Sequence, residues 1–246
     1  MARYRMTIEY DGSGLAGWQR QDNGPSVQQA LEEAAYALSG EKITFFAAGR
    51  TDAGVHALGQ VVHMDMAKDL SAAKIADALN YHLKPAAIAI VSSMEVDEGF
   101  HARFSALSRH YLFRIVDRRA PVILRRGKVW QVKQTLDAKA MHAAAQCLVG
   151  RHDFTTFRAA KCQAASPEKT LYQIAVKRHE DEVHITCSAR SFLHHQVRSF
   201  VGSLKQVGTG KWSGEDLRDA LAAKDRTRCG LVAPPHGLYL IAVDYD

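Results

Sequence analysis

The stretch Gly49-Arg50-Thr51-Asp52-Ala53-Gly54-Val55-His56-Ala57 lies between two apolar runs and brings together one acid, one arginine and one histidine. Upstream, residues 43–48 are led by β-branched and aromatic side chains. Downstream, residues 59–66 place apolar side chains at alternate positions. Both flanks are typical of β-strands. The stretch is therefore predicted to be the loop that connects two strands.

Asp52 has two interpretations when only its neighbours are considered. An acid between a threonine and a small residue in a glycine-bracketed turn often accepts hydrogen bonds from nearby backbone amides, which is a structural role. The glycines at 49 and 54 permit close approaches that a side chain would block, which suits a loop packed against another group. The Gly-x-x-x-x-Gly-Lys-Ser/Thr pattern of a phosphate-binding loop is absent from the sequence. Local sequence alone favours the structural role.

The length of 246 residues allows one large domain or two of ordinary size, and either can bury a core without disulfides. The cysteines form no Cys-x-x-Cys pair, which excludes zinc-ribbon and thioredoxin-type sites. We expect reduced, mostly buried thiols at Cys147, Cys162, Cys187 and Cys229. The sequence shows no apolar signal core and no run of about 18 apolar residues, so we expect a soluble cytoplasmic protein.

The chain carries 32 Lys and Arg against 26 Asp and Glu, which gives a net charge of +6 and favours a polyanionic partner such as nucleic acid. Two segments concentrate the basic residues: Arg118, Arg119, Arg125, Arg126 and Lys128 in one, and Arg151, His152, Arg158 and Lys161 in the other. Basic groups beside Trp130, Phe154 and Phe157 are suited to holding phosphates and stacking on bases. For each segment taken alone, a solvated basic face is an equally good interpretation.

The hydrophobic pattern predicts strands and helices in runs. Strands are predicted at residues 4–10, 88–96, 108–116, 170–178, 182–189 and 238–243. Helices are predicted at residues 27–38, 71–83, 137–149 and 192–207, with a short helix after Ser213. Ser26 and Gln29 have the spacing of a capping box at the first helix.

These elements form two successive halves with no regular βαβ repeat, which predicts an α+β fold with mainly antiparallel sheets. The pattern breaks at Asp97-Glu98-Gly99, and residues 100–105 are predicted to cross between the halves. We therefore predict an N-terminal half of residues 1–104, which carries the Asp52 loop, and a C-terminal half of residues 105–246.

Seven motifs then follow one another along the chain: Tyr10-Asp11-Gly12-Ser13 with Gly17-Trp18-Gln19-Arg20-Gln21, the stretch from Gly49 to Ala57, Phe100-His101-Ala102-Arg103, Ser108-Arg109-His110-Tyr111, His152-Asp153-Phe154, Phe192-Leu193-His194-His195-Gln196-Val197-Arg198 with Val201-Gly202, and Ala233-Pro234-Pro235-His236-Gly237-Leu238. In these motifs, and over nearly its whole length, the sequence resembles the TruA family of tRNA pseudouridine synthases. Leu15-Ala16 departs from the family, which usually has an aromatic residue before Gly-Trp-Gln, so the RNA contacts of that loop are expected to differ.

The resemblance implies the isomerisation of uridine to pseudouridine, in which uracil leaves its N1 link to ribose, turns, and rejoins through C5. It makes Asp52, the acid of the Arg-Thr-Asp motif, the catalytic carboxylate, and so reverses the local interpretation. A carboxylate beside the anomeric carbon can trap the developing positive charge covalently or stabilise it electrostatically. It can also remove a ribose proton to give a glycal. The sequence leaves both routes open.

Three further site residues follow from the resemblance. Arg198 matches the arginine that forms a salt bridge with the catalytic acid, and Tyr111 matches the tyrosine that packs on the target base. Arg50 resembles the residue that helps to displace that base from its stack. Taken alone, Arg198 is better interpreted as a helix-surface cation, and Tyr111 is equally well an ordinary core residue of a strand.

The resemblance also implies how the parts are assembled. It predicts two α+β halves whose antiparallel sheets abut, with helices packed on the sheets and the active cleft between the halves. It further predicts a homodimer that holds one tRNA at the anticodon stem-loop, with no metal or other cofactor.

Two other functions make different demands on these residues. An RNA-binding protein that has lost the chemistry is disfavoured by the presence of both Asp52 and Arg198. A metal-dependent nuclease would need clustered carboxylates or histidines. His194 and His195 are adjacent, and on a helix they would point about 100° apart, which argues against a shared metal site.

Overall fold

The computed structural model describes residues 1–22 and 24–246. The strands are β1 (Ala2–Tyr10), β2 (Phe46–Ala47), β3 (His56–Met66), β4 (Ile88–Val96), β5 (Ser108–Val116), β6 (Trp130–Gln131), β7 (Gly150–Asp153), β8 (Glu168–His179), β9 (Glu182–Ala189) and β10 (Leu238–Asp244). The α-helices are α1 (Val27–Ser39), α2 (Ala72–His82), α3 (Ala138–Ala145), α4 (Gln196–Gly208) and α5 (Gly214–Ala223). The predicted α+β class is confirmed.

The chain divides into two compact units. The first unit is Met1–Arg109 with Tyr239–Asp246, and the second is His110–Leu238. The predicted halves differ from these units mainly at the last strand, because most of β10 belongs to the first unit. The domain boundary after residue 104 stays a prediction, as do the abutting sheets, the cleft and the homodimer.

The sheet of the first unit has the strand order β4-β1-β3-β10, and β2 pairs with β3. Strand β1 is antiparallel to both of its neighbours. Its predicted alternation is confirmed, because Tyr4, Met6, Ile8 and Tyr10 are all buried. Strand β10 runs parallel to β3 and pairs Tyr239 with His56. This pairing fixes the start of β3, which is where the stretch around Asp52 ends.

Two helices of the first unit begin at serine N-caps, of which the one at Ser26 was predicted. The hydroxyl of Ser26 accepts a hydrogen bond from the Gln29 backbone N–H at 3.2 Å, and the left-handed Gly40, with φ of 74°, ends α1. The Gln29 side chain donates to Glu33 at 2.8 Å. Ser71 caps α2 in the same way. Local side-chain hydrogen bonds thus set these boundaries. Only half of the capping box predicted at Ser26 and Gln29 is present, because the Gln29 side chain bonds Glu33.

The sheet of the second unit has the strand order β5-β9-β8-β7, with β6 paired in parallel to β5. Strands β8 and β9 form an antiparallel hairpin. Helix α3 packs on β8, and α4 and α5 pack on α3. The rings of Phe154, Phe157 and Phe200 meet in the core with centroids 5.1 to 6.4 Å apart. Because Phe154 and Phe157 are fully buried, their interpretation as base-stacking residues is wrong.

Several predicted boundaries need correction. The strand predicted at residues 43–48 is reduced to Phe46–Ala47, and β3 begins three residues early, at His56. The helix predicted from residue 192 begins at Gln196, because His195 adopts a left-handed backbone with φ of 63°. The predicted helix at residues 137–149 is an α-helix to Ala145, followed by a turn of 3-10 helix at Gln146–Leu148.

The four cysteine thiols differ in burial. All four cysteines are free, but only Cys187 is buried, so the prediction of mostly buried thiols is wrong for the other three. Burial raises the pKa of the Cys187 thiol. Across residues 1–22 and 24–246, no helix has the length and apolar character needed to cross a membrane.

Candidate active site

Asp52 lies in the first unit on a loop of residues 48–55, here called the Asp52 loop, which joins β2 to β3. Its side chain is partly exposed, whereas its neighbour Thr51 is buried. The Val55 backbone N–H donates to the Asp52 carbonyl oxygen at 3.1 Å. Gly54 has φ of 77°, a left-handed conformation that glycine adopts without strain. The loop is therefore a tight turn that presents one acid.

Two glycines of the preceding motif allow the chain to lie directly on this loop. A Cβ at Gly12 would lie 2.1 Å from the Val55 carbonyl oxygen, and one at Gly17 would lie 2.7 Å from that of Thr51. The Trp18 backbone N–H donates to the Thr51 carbonyl oxygen at 3.0 Å. The first motif thus acts as a support for the loop, which the sequence did not reveal.

Buried donors hold the loop from the other side. The Gln60 side-chain nitrogen donates to the Gly49 carbonyl oxygen at 2.7 Å. The Arg109 guanidinium donates to the Ala48 carbonyl oxygen at 2.7 and 3.2 Å. Both donor side chains are buried. These hydrogen bonds fix the backbone before Asp52 without using its carboxylate.

His56 connects the loop to β10. Its Nδ1 lies 3.0 Å from the Gly12 backbone nitrogen and 3.0 Å from Asp11 Oδ1. Neutral imidazole can accept from the Gly12 N–H at this nitrogen, and protonated imidazole can donate to Asp11. The ring stacks on Tyr239 with centroids 4.8 Å apart. The sequence placed His56 in the motif but gave it no role.

Arg50 is the second predicted site residue of the first unit. It precedes the buried Thr51 on the same loop, and its side chain is exposed. Gly49 directs its carbonyl oxygen and Thr51 its hydroxyl towards the interior. The side chains of Arg50 and Asp52, by contrast, have access to solvent.

The second unit carries Tyr111 and Arg198 on separate elements. Tyr111 lies on β5, is largely buried, and meets the ring of Phe192 edge to face with centroids 5.2 Å apart. This contact restrains the tyrosine ring. Arg198 lies in the first turn of α4 and is partly exposed.

A reciprocal pair of hydrogen bonds positions Arg198. Its Nε donates to the Ala233 carbonyl oxygen at 2.8 Å, and the Ala233 N–H donates to the Arg198 carbonyl oxygen at 3.1 Å. A Cβ at Gly202 would lie 1.5 Å from the Leu231 carbonyl oxygen, so α4 is in close contact with this segment. Burial, and next the charge of Arg198, lower the pKa of His236. The motif that begins at Ala233 therefore serves to hold Arg198.

The two adjacent histidines do not lie on a helix as predicted. His194 and His195 precede α4, and their ring centroids are 4.0 Å apart. The prediction that they lie on a helix and point about 100° apart is therefore wrong, because His195 adopts a left-handed backbone just before α4. The salt bridge between Asp52 and Arg198 and the packing of Tyr111 on a base remain predictions.

Part of the predicted basic surface forms ion pairs within the second unit. In the segment of residues 118–128, here called the basic segment, Arg118 and Arg125 bind Asp181 at 2.9 and 2.6 Å. Arg125 also binds Glu182 at 2.5 Å, as does Arg114 at 2.7 Å. These acids lie at the turn of the β8–β9 hairpin, far from the basic segment in sequence. Arg119 and Arg126 are exposed.

The pKa of Glu182 reflects the hydrogen bonds that its carboxylate accepts in this network. Burial alone would raise the pKa of its carboxyl group, but hydrogen bonds from Arg114, His184 and Arg125 outweigh that effect and lower the pKa to about 2. The carboxylate is therefore ionised throughout the neutral range and neutralises part of the basic segment.

Comparisons with known proteins agree over most of the chain. A family model described as tRNA pseudouridine synthase matches residues 6–105 and 144–246. The tRNA pseudouridine synthase A of Maricaulis maris is 63% identical over 245 residues, which cover 100% of this chain and 98% of that protein. The protein of the same name from Parvibaculum lavamentivorans is 59% identical over 246 residues and is covered completely. Arg50, Asp52 and Arg198 lie inside the matched residues, and Tyr111 lies between the two matched segments.

Proposed function

The chain belongs to the tRNA pseudouridine synthase family, and from that premise we propose that it isomerises uridines in the anticodon stem-loop of tRNA. It is an isomerase that acts on tRNA. The reaction breaks the bond between N1 and C1′ and forms one between C5 and C1′. N1 gains a proton and C5 loses one, so the product is an isomer of the substrate.

The placement of Asp52 is the observation that carries this proposal. Asp52 is partly exposed on a loop that is held by hydrogen bonds at the Gly49 carbonyl oxygen and the Thr51 hydroxyl. A carboxylate held this way can meet the positive charge that develops at C1′ when the glycosidic bond breaks. We assign Asp52 as the catalytic carboxylate.

Two routes use the same carboxylate. In the first, an Asp52 oxygen attacks C1′, the N1 bond breaks, and an ester forms until C5 displaces the carboxylate. In the second, Asp52 removes a ribose proton while uracil leaves, which gives a glycal that accepts C5 and recovers the proton. Both routes need the carboxylate in its ionised form.

Arg198 is proposed as the salt-bridge partner of Asp52. A guanidinium remains charged at every accessible pH and presents a planar fork that matches a carboxylate. Its Nε is occupied by Ala233, which orients the remaining donors. Such a partner would keep Asp52 ionised when a bound base excludes water.

Tyr111 and Arg50 are proposed to act on the target nucleotide. The Tyr111 ring, restrained by Phe192, supplies a flat surface for uracil. The exposed Arg50 is adjacent in the loop to the buried Thr51 and is suited to occupying the place of the displaced base. We also propose that the protein works as a homodimer on tRNA in the cytoplasm, and without a cofactor.

Purified protein and unmodified tRNA test this proposal. Pseudouridine is expected in the anticodon stem-loop without added metal or nucleotide, and Asp52→Asn should abolish turnover while tRNA binding persists. Mapping the modified positions in tRNA from cells with and without the protein tests the choice of site. Full activity of Asp52→Asn would rule out Asp52 as the catalytic group, and modification elsewhere in tRNA would overturn the choice of stem-loop.

A further inference from the structure

Gln60 connects β3 to the Asp52 loop through the interior of the first unit. It is fully buried, and its side-chain nitrogen donates to the Gly49 carbonyl oxygen at 2.7 Å and to the Tyr10 hydroxyl at 3.4 Å. The Tyr10 hydroxyl in turn lies 2.8 Å from Thr51 Oγ1. Gly49 and Thr51 are the two residues that flank Arg50 immediately before Asp52.

A chain of hydrogen bonds runs from Gln60 through Tyr10 to Thr51. An amide nitrogen can only donate, so the Tyr10 oxygen accepts from Gln60, while either hydroxyl can donate in the contact between Tyr10 and Thr51. Burial raises the pKa of Tyr10 to about 12, so the hydroxyl keeps its hydrogen at neutral pH. The two donors on Gln60 therefore fix the loop at Gly49 directly and at Thr51 through Tyr10.

The other end of the Gln60 amide is the unusual feature. Its oxygen is buried and accepts no hydrogen bond from the residues that the structure describes, 1–22 and 24–246. Reversing the amide would put that oxygen 2.7 Å from the Gly49 oxygen, so that two acceptors would face each other. An unpaired buried acceptor lowers stability. Such unfavourable groups persist where they hold a functional geometry.

We propose that Gln60 is a positioning residue that, with Tyr10, fixes the backbone before Asp52 so that the carboxylate is presented in one place. Gln60 acts through main-chain and hydroxyl groups and does not touch the substrate. The inference rests on the proposed function, because it assumes that the position of Asp52 limits the rate.

Gln60→Met tests the idea, since methionine keeps the unbranched shape but removes both donors and the unpaired oxygen. We expect kcat to fall about 100-fold, the cost of a displacement of about 1 Å. The Kd for tRNA should stay within about twofold, because ground-state binding does not depend on this geometry. The Tm should change little, because loss of the unpaired acceptor offsets the cost of leaving the Gly49 carbonyl oxygen without this donor.

Gln206→Met is the matched control. Gln206 lies in α4, and its side-chain oxygen is also buried and unpaired among the described residues. The same chemical change there should leave kcat at the wild-type value. Equal losses in both variants would show a general effect of removing a buried amide and would overturn the positioning role.

Thr51 provides the second test. Thr51→Val keeps the shape but removes the hydroxyl that Tyr10 contacts, whereas Thr51→Ser retains it. We expect Thr51→Val to lose activity as Gln60→Met does and Thr51→Ser to keep most of it. The double variant Gln60→Met with Thr51→Val should be little worse than either single variant, because both break the same connection. Fully additive losses would contradict the connection.

Hydrogen exchange separates failure of this inference from failure of the proposed function. The amides of residues 49–55 should exchange faster in Gln60→Met than in wild type or in Gln206→Met, whether or not pseudouridine is formed. Wild-type protein that makes no pseudouridine would overturn the proposed function, and the exchange data would still test the positioning. Wild-type kcat or unchanged exchange in Gln60→Met would overturn the positioning role. A loss of kcat matched by a loss of Tm would reduce Gln60 to a structural residue and overturn it also.

Discussion

The Asp52 loop and the basic segment both present polar groups, but different forces hold them. The Asp52 loop is fixed by hydrogen bonds to main-chain oxygens and by glycine contacts such as that of Gly12 with Val55. The basic segment is held by ion pairs from Arg118 and Arg125 to carboxylates. The close contacts of the Asp52 loop fix its position, whereas the ion pairs of the basic segment use part of the segment's own charge. Catalytic groups need accuracy, and phosphate-binding groups need only charge.

Gly12→Ala should displace the Asp52 loop and produce the largest loss of activity. Its Cβ would lie 2.1 Å from the Val55 carbonyl oxygen, so the loop that carries Asp52 must move. We expect kcat to fall by more than about 100-fold, measured as pseudouridine formed per enzyme at saturating tRNA. The matched control is Gly99→Ala, where a Cβ meets nothing within 4 Å. Similar activity in the two variants would show that the contact does not set the loop.

Arg198→Lys and Arg125→Lys compare a guanidinium held by a carbonyl oxygen with one held by carboxylates. We expect Arg198→Lys to lower kcat about 10- to 100-fold, because an ammonium does not reproduce the planar fork. Arg125→Lys should leave kcat near wild type, because its partners are Asp181 and Glu182. Wild-type turnover by Arg198→Lys would remove Arg198 from the proposed site.

Glu182→Gln should weaken the ion pairs of the basic segment and leave the Asp52 loop unchanged. The pKa of Glu182 is lowered from 4.5 to about 2, so the folded state binds this proton less readily than the unfolded chain. The resulting stability is present above pH 4.5 and is lost as the pH falls towards 2. We expect Glu182→Gln to lose about 2 kcal/mol at pH 7 and to show a flatter Tm between pH 5 and pH 3.

The control for Glu182 is Glu168→Gln. Glu168 binds Arg151 at 2.6 Å, but both side chains are largely exposed, and such pairs add little stability. Thermal unfolding of wild type and both variants across this pH range measures the difference. An acid dependence in Glu182→Gln equal to that of wild type would show that the network does not stabilise the fold.

The smallest expected effect concerns salt. Affinity for tRNA should fall with rising salt, and each phosphate contact contributes about 0.7 to 0.9 to the logarithmic slope. Arg126→Gln should reduce the slope by up to about 1, because Arg126 is exposed. Arg125→Gln should reduce it less, because carboxylates already neutralise that residue. Filter binding over a salt series measures both slopes, and equal reductions would mean that the ion pairs open on binding.

Elements set by local contacts were predictable from the sequence. Helix α1 begins and ends where Ser26 and Gly40 place its caps, and β5 and β9 have the predicted bounds. The two-residue strand β2 depends on pairing with β3, which local periodicity does not report. The left-handed turn at His195 likewise hides within a helical pattern of spacing.

In the candidate site, too, features set by local sequence were predictable and contacts between distant segments were not. The sequence predicted the Asp52 loop and, through the resemblance to the family motifs, Arg198 and Tyr111 as site residues; their roles stay predictions. It missed the contacts of Gln60, Arg109 and Ala233, because each joins segments distant in sequence. The fully buried Phe154 was open to misinterpretation for the same reason, since burial follows from tertiary packing.

The parallel pairing of β10 with β3 sets an order of events during synthesis. Residues 239 to 246 complete the first unit, yet the ribosome makes them after the entire second unit. The start of β3, at His56 and Ala57, therefore lacks its β10 neighbour until the end of the chain has been made, while the rest of β3 can already pair with β1 and β2. A nascent chain stalled in the second unit would carry the Asp52 loop without the strand that pairs beside it, and we expect such a chain to be an early substrate for chaperones.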